Sequence, residues 1–429
     1  MDEAATGEGD GFDAPMSVVA QRRSYARGVL RFPCTDEPIG RSVDNMSVVG
    51  ERVKNARKRS GMTQRQLADA AGVSLSQLRK IEQGDYEPRL ETLRAVAVAM
   101  NLRTTALQAA PDYEMPDSDT EAQWQPVMHA LFGNIAQPDE PATPEGIHAV
   151  LETVQGMISA DRYREVTALL PNLIRDVDSL DDGRGPRFKV LNVVASLLAQ
   201  TRQFEAADAV LDRAVDVAET AVEAATAIDT RLWALLRQGR LDDARTVAVN
   251  WADDIEPRFS RANLQSVAMW GRLWLKIANA AVRDNQPGEV EDALSLARAA
   301  AARIGHDVYV ERLLGRTFGP LEVSYISAES FVIAREPEKT LAIAAKVPAA
   351  VIEPAGSSRM RHKLDVANAH VQMGRYGEAL DAFRTVQRTA PEWLVQQRYA
   401  RDILGTIVSK RRTLTPDMRE LATAIRLDY

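Results

Sequence analysis

The chain has 429 residues, 45% of them apolar and 26% charged, with a net charge of −7. That length exceeds one ordinary hydrophobic core, so two or more domains are expected. No run approaches the ~18 consecutive apolar residues of a membrane span, the N-terminus lacks the apolar core of a secretory signal, and the single cysteine, Cys34, excludes an internal disulfide; a cytoplasmic location without a membrane partner is expected.

The charge is uneven. From Gly50 to Arg94 ten Lys and Arg stand against six Asp and Glu, so this stretch carries +4 and the remainder −11. A basic module on an acidic body suits a protein that reads DNA with one part and keeps the other away from it. Nine lysines against 44 arginines point to a GC-rich bacterial genome.

In chain order, residues 1–45 are rich in Gly and Asp without a sustained period and read as a disordered tail. Met46 directly precedes a helical pattern and is a candidate start of translation. A first helix is expected from about Val49 to Ser60, with Val53 and Ala56 inward and Gly61 as its stop. Two short helices follow. Thr63 with Gln66, and Ser74 with Gln77, are capping boxes that satisfy the free N–H groups at each helix start. Gly72 supplies the left-handed backbone of a sharp turn between them, and Gly84 closes the second helix. At 100° per residue, Leu78 and Ile81 face inward; Ser76, Arg79, Lys80 and Gln83 face outward, with Leu75 on the N-terminal flank. A helix with such an outer face fits a B-DNA major groove. Leu90, Leu93, Val96, Ala97 and Met100 supply a closing helix.

Gln64, Ala68, Gly72, Val73, Ile81, Glu82, Gly84 and Pro88 fall where the lambda-repressor/Cro-like, or xenobiotic-response-element (XRE), helix-turn-helix family places such residues, and this stretch resembles that family. The resemblance implies a five-helix DNA-binding domain over residues 46–102. It also implies a structural ion pair between Arg57 and Glu82, and it places Gln64 on a phosphate. The expected contact set with double-stranded DNA is Gln64, Ser74, Leu75, Ser76, Arg79, Lys80 and Gln83. Leu75 departs from the polar residue usual there, and Arg89 stands where Ser is common, which weakens that helix cap.

Residues 103–145 contain Pro111, Pro116, Pro126, Pro138, Pro141 and Pro144 and read as a linker, with one short helix from Trp124 to Phe132. Residues 146–429 read as successive amphipathic helices. Gly374-Arg375-Tyr376-Gly377-Glu378-Ala379-Leu380, Phe383 and Pro391 resemble the second half of a tetratricopeptide (TPR) repeat. Similar junctions place a small helix-crossing residue at Val166, Ala207, Ala244, Ala293, Thr340 and Ala379, spaced 41, 37, 49, 47 and 39 residues apart. A strict repeat spaces them by ~34, so TPR-like hairpins with longer helices or loops are expected, closed by a helix pair from about Leu394 to Leu427. The fold expected is all-α: the DNA-binding domain followed by a superhelix that buries the apolar stripe of each hairpin against the next.

The first helix of each hairpin then lines a groove. The mapped groove positions are Lys189, Asn192, Ser196 and Gln200; Asp229, Trp233 and Arg237; and Arg361, Asn368 and Gln372. Asn can clamp a peptide backbone and Arg can hold a carboxylate. His129, His148, His306, His362 and His370 are scattered without metal-ligand spacing, and no phosphate-binding glycine loop is present. No enzyme, cofactor or metal site is read. The whole resembles bacterial peptide-sensing (RRNPP-type) regulators. The expectation is a homodimeric transcription regulator whose repeat domain dimerises and senses a peptide or small effector. The alternative is a DNA-localised adaptor whose superhelix binds a partner protein.

Overall fold

The computed structural model describes residues 43–109, 118–133, 142–160, 162–180, 183–348, 358–395 and 397–427. The expected N-terminal tail and Cys34 lie outside them. Three apolar cores organise the described residues: one under the DNA-binding helices, one running through the first repeats, and one at the C-terminal end.

The first core is closed by α1 (Val43–Arg59), α2 (Gln64–Ala71), α3 (Leu75–Gln83) and α4 (Leu90–Ala99). Both halves of the Thr63–Gln66 capping box are formed. Ser74 accepts the N–H of Gln77 at the start of α3. Gly72 (φ 67°) and Gly84 (φ 77°) adopt the left-handed backbone that lets each helix stop within one residue. Arg89 makes no side-chain cap on α4. Val53, Leu67, Leu78, Ile81 and Val96 are fully buried between these helices, each contributing roughly 1.5–3 kcal/mol by leaving water. Four helices are described in this domain, one fewer than the five expected over residues 46–102, and just beyond them residues 104–107 make a hydrogen-bonded turn. Leu107 is drawn into this core while Thr104 is tied to the repeats, so the chain cannot coil further here.

Beyond it, α5 (Ser118–Phe132) is longer than the short linker helix expected and belongs to the repeat body. Its Trp124, Val127, Ala130 and Leu131 are buried in the second core. Six helical hairpins follow: α6 (Pro144–Ser159) with α7 (Tyr163–Asp178), α8 (Arg184–Gln200) with α9 (Phe204–Val217), α10 (Ala221–Arg237) with α11 (Leu241–Asp254), α12 (Leu264–Arg283) with α13 (Pro287–Ile304), α14 (Pro320–Ile333) with α15 (Pro337–Ala344), and α16 (Ser358–Gln372) with α17 (Tyr376–Thr389). The marker residues Val166, Ala207, Ala244, Ala293, Thr340 and Ala379 all sit on second helices and are buried, as a close helix crossing requires. α18 (Pro391–Val395), α19 (Arg398–Ser409) and α20 (Pro416–Ala424) pack with the last hairpin around Phe383, Leu404 and Leu421.

The two long spacings have physical causes. The first contains the 20-residue α12 and the loop before it. The second contains the one departure from helix among the described residues, an antiparallel hairpin of β1 (Val308–Glu311) and β2 (Arg316–Phe318). Gly315 (φ 61°) allows its tight return, and the Glu311 carboxylate accepts the N–H groups of Leu313 and Leu314. Phe318 is fully buried against Gly271 of α12, where a Cβ would fall 2.2 Å from the ring.

Candidate nucleic-acid interface and effector groove

Arg57 and Glu82 fix α1 to the end of α3. Arg57 Nε donates to Glu82 Oε1 at 2.6 Å and Nη2 donates to Oε2 at 3.0 Å, while Nη1 reaches the Met62 carbonyl at 2.9 Å. The side chains are 12% and 3% exposed. Burial pushes the Glu82 carboxyl up, but hydrogen bonds from Arg57 and Gln64 outweigh it and hold the group below the usual carboxylate range. Gln64 Nε2 donates to Glu82 Oε2 at 2.8 Å. The residue expected on a phosphate therefore also braces this pair, because the start of α2 and the end of α3 meet here.

The pair leaves one face of α3 outward. Ser74, Ser76, Arg79, Lys80 and Gln83 are exposed together on it. Leu75, expected at a base edge, is half-buried and packs on the domain core, so only part of its surface is available. Arg79 and Lys80 have no ion-pair partner among the described residues, and α3 presents both cations outward.

A helix-turn-helix family profile matches residues 53–107. The chain is 28% identical over 121 residues to the immunity repressor protein of Bacillus phage phi105, spanning 26% of this chain and 84% of the repressor. It is 44% identical over 88 residues to the transcriptional regulator ClgR of Mycobacterium tuberculosis, spanning 20% of this chain and 79% of ClgR. The chain belongs to the helix-turn-helix family of DNA-binding transcription regulators. Among solved structures, the regulator is similar to PlcR of Bacillus thuringiensis in complex with the peptide PapR7 and DNA, at 13% identity and a TM-score of 0.35, covering 78% of this chain and 99% of PlcR. It is also similar to the apo form of ComR from S. thermophilus, at 13% identity and a TM-score of 0.26, covering 85% of this chain and 100% of ComR. No described helix of the regulator is long and apolar enough to cross a membrane.

The DNA-binding domain is docked on the repeats through residues 103–105, expected in the linker, and through Arg89, Arg94 and Leu102 of its own. Asp284, the buried C-cap of α12, accepts Arg103 Nε at 2.6 Å and the Thr105 N–H at 2.9 Å. Thr104 Oγ1 donates to the Arg283 carbonyl at 2.8 Å, and Asn285 Nδ2 donates to the Leu102 carbonyl at 3.0 Å. Arg94 Nε donates to the Val282 carbonyl, and Arg89 pairs with Asp402 at 3.0 Å. Burial, with Arg335 and Arg283 nearby, lowers Arg94 to about 10, which still leaves it charged at neutral pH. Residue spacing could not reveal these contacts, since the partners on α12 and just after it are some 180 positions away and Asp402 is 313 positions from Arg89.

The first helices α8, α10, α12, α14 and α16 stand side by side along one inner face. Two polar clusters cross it. In the first, Asp229 is 2% exposed, with Arg272 Nε at 3.1 Å, Lys276 Nζ at 3.3 Å and Arg316 Nη1 at 3.4 Å. Burial opposes ionisation of Asp229, and the three cations overcome it, holding the carboxyl far below its usual range. Asn192 is buried, and its Oδ1 accepts from Thr230 Oγ1 at 2.9 Å; Ser196 Oγ accepts Arg316 Nη2 at 3.3 Å.

In the second cluster, Glu329 accepts Arg283 Nη2 at 2.7 Å and Arg361 Nη2 at 3.0 Å. Arg361 also lies 4.1 Å over the Tyr399 ring, and Tyr399 Oη donates to Asp365 Oδ1 while accepting from Asn368 Nδ2. Burial, reinforced by Glu329, raises the Asp365 carboxyl despite Arg361.

The remaining groove residues divide. Arg237 sits 4.9 Å over Trp233 and donates to Gln200 Oε1 at 2.9 Å. Gln372 donates to the Val332 carbonyl. Lys189 stands exposed at the edge of α8. Apart from Lys189, the positions mapped from sequence thus form internal networks, and Arg272, Lys276, Arg283, Arg316 and Glu329, absent from the mapped set, supply most of the charge. For Arg272, Lys276 and Arg283 the signal in the sequence is a single face of α12, at positions 272, 276, 279 and 283; Arg316 comes from β2 and Glu329 from α14.

Proposed function

We propose that this transcription regulator acts as a homodimer, reads DNA through α3, and adjusts its DNA affinity when an effector enters the groove of the repeat domain. Ser76, Arg79 and Lys80 are the residues assigned to base edges: Arg or Lys bonds guanine bidentately and Ser is permissive. Gln64, Ser74 and Gln83 are assigned to phosphate or flanking contacts, and Leu75 to a minor apolar one. Two copies would present α3 to half-sites about one helical turn apart.

The observation that carries the sensing function is the C-terminal end of α12. The Arg283 side chain bonds Glu329 in the groove, while its own carbonyl and the adjacent Asp284 hold the DNA-binding domain. A ligand that rearranges Glu329 or Arg283 acts on the anchor of the reading head through one residue. Such coupling is typically ~1–3 kcal/mol, or roughly 5–150-fold in affinity.

The test starts with genome-wide mapping of bound DNA. The affinity of a recovered fragment is then measured by fluorescence anisotropy for wild type and Asp284→Ala, with and without fractionated cell extract. A change within that range in Asp284→Ala, and an extract fraction that moves wild type, support the proposal. Affinity that neither releasing the anchor nor any fraction alters removes the sensing function. Sedimentation of the free protein as a monomer at working concentration removes the dimer.

A further inference from the structure

The last helix pair departs in charge from the body it closes. Residues 398–427 hold seven Lys and Arg against three Asp and Glu, a balance of +4, whereas everything outside residues 50–94, this segment included, sums to −11. Two of the three carboxylates are already taken by cations of other elements. Asp402 of α19 pairs with Arg89 of the DNA-binding domain at 3.0 Å, and Asp417 of α20 pairs with Arg384 of α17. The positive charge of the segment is thereby left largely without internal compensation.

Its exposed cations gather where α19 ends. Lys410, Arg411 and Arg412 follow one another, and all three are exposed. None of the three pairs with a carboxylate among the described residues, and Arg411 lies 5.1 Å over the Tyr376 ring. One cation at a helix C-terminus complements the helix dipole. Three in succession exceed that need and repel one another, an arrangement that a polyanion relieves. By contrast, Arg401 and Arg419 donate to the carbonyls of Val395 and Leu414 and serve the local fold. The Arg89–Asp402 contact sets the cationic end beside the DNA-binding domain: Lys410 lies about two turns of helix, roughly 12 Å, beyond Asp402.

We infer that Lys410, Arg411 and Arg412 form a second contact surface for double-stranded DNA, one that meets the phosphate backbone beside the sequence read by α3. One turn of B-DNA measures ~34 Å, so a duplex that continues past the site by about a turn reaches the cap anchored on Arg89. The contact carries no base information, because cationic side chains on phosphates fix position and not sequence. It goes beyond the function proposed above, since it requires neither an effector nor a dimer. The acidic body keeps most of its surface away from DNA while its last helices engage the flank.

The experiment compares two duplexes taken from genome-wide mapping of bound DNA. One is the motif shared by the recovered fragments; the other is that motif with about 15 base pairs, or one and a half turns, added on each side. Affinity of the full chain for each is measured by fluorescence anisotropy between about 50 and 200 mM salt. Wild type should bind the longer duplex more tightly, whatever the added sequence. Lys410→Gln/Arg412→Gln, which leaves Arg411 on its ring, should lose this gain. On the longer duplex its salt slope should fall by about 1.8, so the fourfold rise in salt costs wild type about 12-fold more than the variant. Lys410→Arg/Arg412→Lys should behave as wild type, which ties the effect to charge. The proposal is overturned if wild type binds the two duplexes equally, or if the Gln variant keeps the wild-type slope. A Gln variant that binds both duplexes as wild type does but fails in transcription in vitro also overturns it, and assigns the run to a protein partner. Motif selection that survives Arg79→Ala/Lys80→Ala removes base reading by α3 and leaves the flank contact standing. A missing length effect with motif selection intact removes only the flank contact.

Discussion

Replacing Glu82 by Ala probes the brace on which the reading helix depends. The carboxylate accepts three hydrogen bonds, two from the Arg57 guanidinium and one from Gln64, at a side chain 3% exposed. Deleting it strands a guanidinium that is 12% exposed and removes the acceptor for Gln64. Breaking a buried pair from one side costs about 3–5 kcal/mol. Arg57 keeps its bond to the Met62 carbonyl and some access to water, so the lower figure applies, about 3 kcal/mol. At ~1.4 kcal/mol per factor of ten, amides of α2 and α3 should lose roughly 100-fold in hydrogen-exchange protection, provided they exchange through opening of this domain. Mass spectrometry of the intact protein reads this directly, with the repeat helices as internal control. The double change Arg57→Met with Glu82→Leu should recover most of the protection, since apolar replacement of a buried pair is often neutral. Wild-type exchange across residues 64–83 in Glu82→Ala would refute the reasoning. The pH sign follows: Glu82 is held below its unfolded value, so its contribution is present above roughly pH 4.5 and fades as pH falls through the lower folded value.

Gly271→Ala should dislodge β2, because the new Cβ would lie 2.2 Å from Phe318 Cζ and 2.8 Å from Ala300 Cβ; a loss of stability of about 1–3 kcal/mol from overpacking is expected, read by thermal unfolding, and an unchanged midpoint would contradict the packing described. His362 is lowered to about 4, mainly by burial with Lys363 adding, so between about pH 6.5 and 4 the unfolded chain binds a proton that the folded one does not. Stability should therefore fall by up to about 3 kcal/mol as pH drops through that window, and His362→Phe should flatten this part of the urea-unfolding profile. Asp284→Ala should raise backbone exchange at residues 102–108 while leaving α2 and α3 protected, since the docking contacts lie outside the helix-turn-helix core.

The DNA-binding domain was legible because its signals are local. A capping box at Thr63, a side-chain N-cap at Ser74, left-handed glycines at 72 and 84, and a helical period that buries Leu78 and Ile81 all act within a few residues. The repeat junctions were legible for a similar reason, a small residue at each crossing. The β-hairpin was not: its strands have only four and three residues, and what holds them is Phe318 against a distant Gly271. The docking segment was hidden in the same way, since Thr104 and Thr105 look like linker until Asp284 is brought beside them. In the groove, the resemblance to TPR repeats placed Asn192, Asp229, Arg361 and Asn368 on the inner face, but it could not show that neighbouring helices supply their partners. Charge pairing across helices is a property of the stack, and no single hairpin carries it.

Base reading by the outer face of α3 is tested most directly by footprinting on a fragment recovered from genome-wide mapping, comparing wild type with Arg79→Ala/Lys80→Ala. Both side chains are exposed and no contact in the domain core involves them, so the variant should keep wild-type circular dichroism and thermal unfolding while losing protection of the specific site. A footprint unchanged in position and strength would contradict the assignment of α3 as the helix that reads DNA.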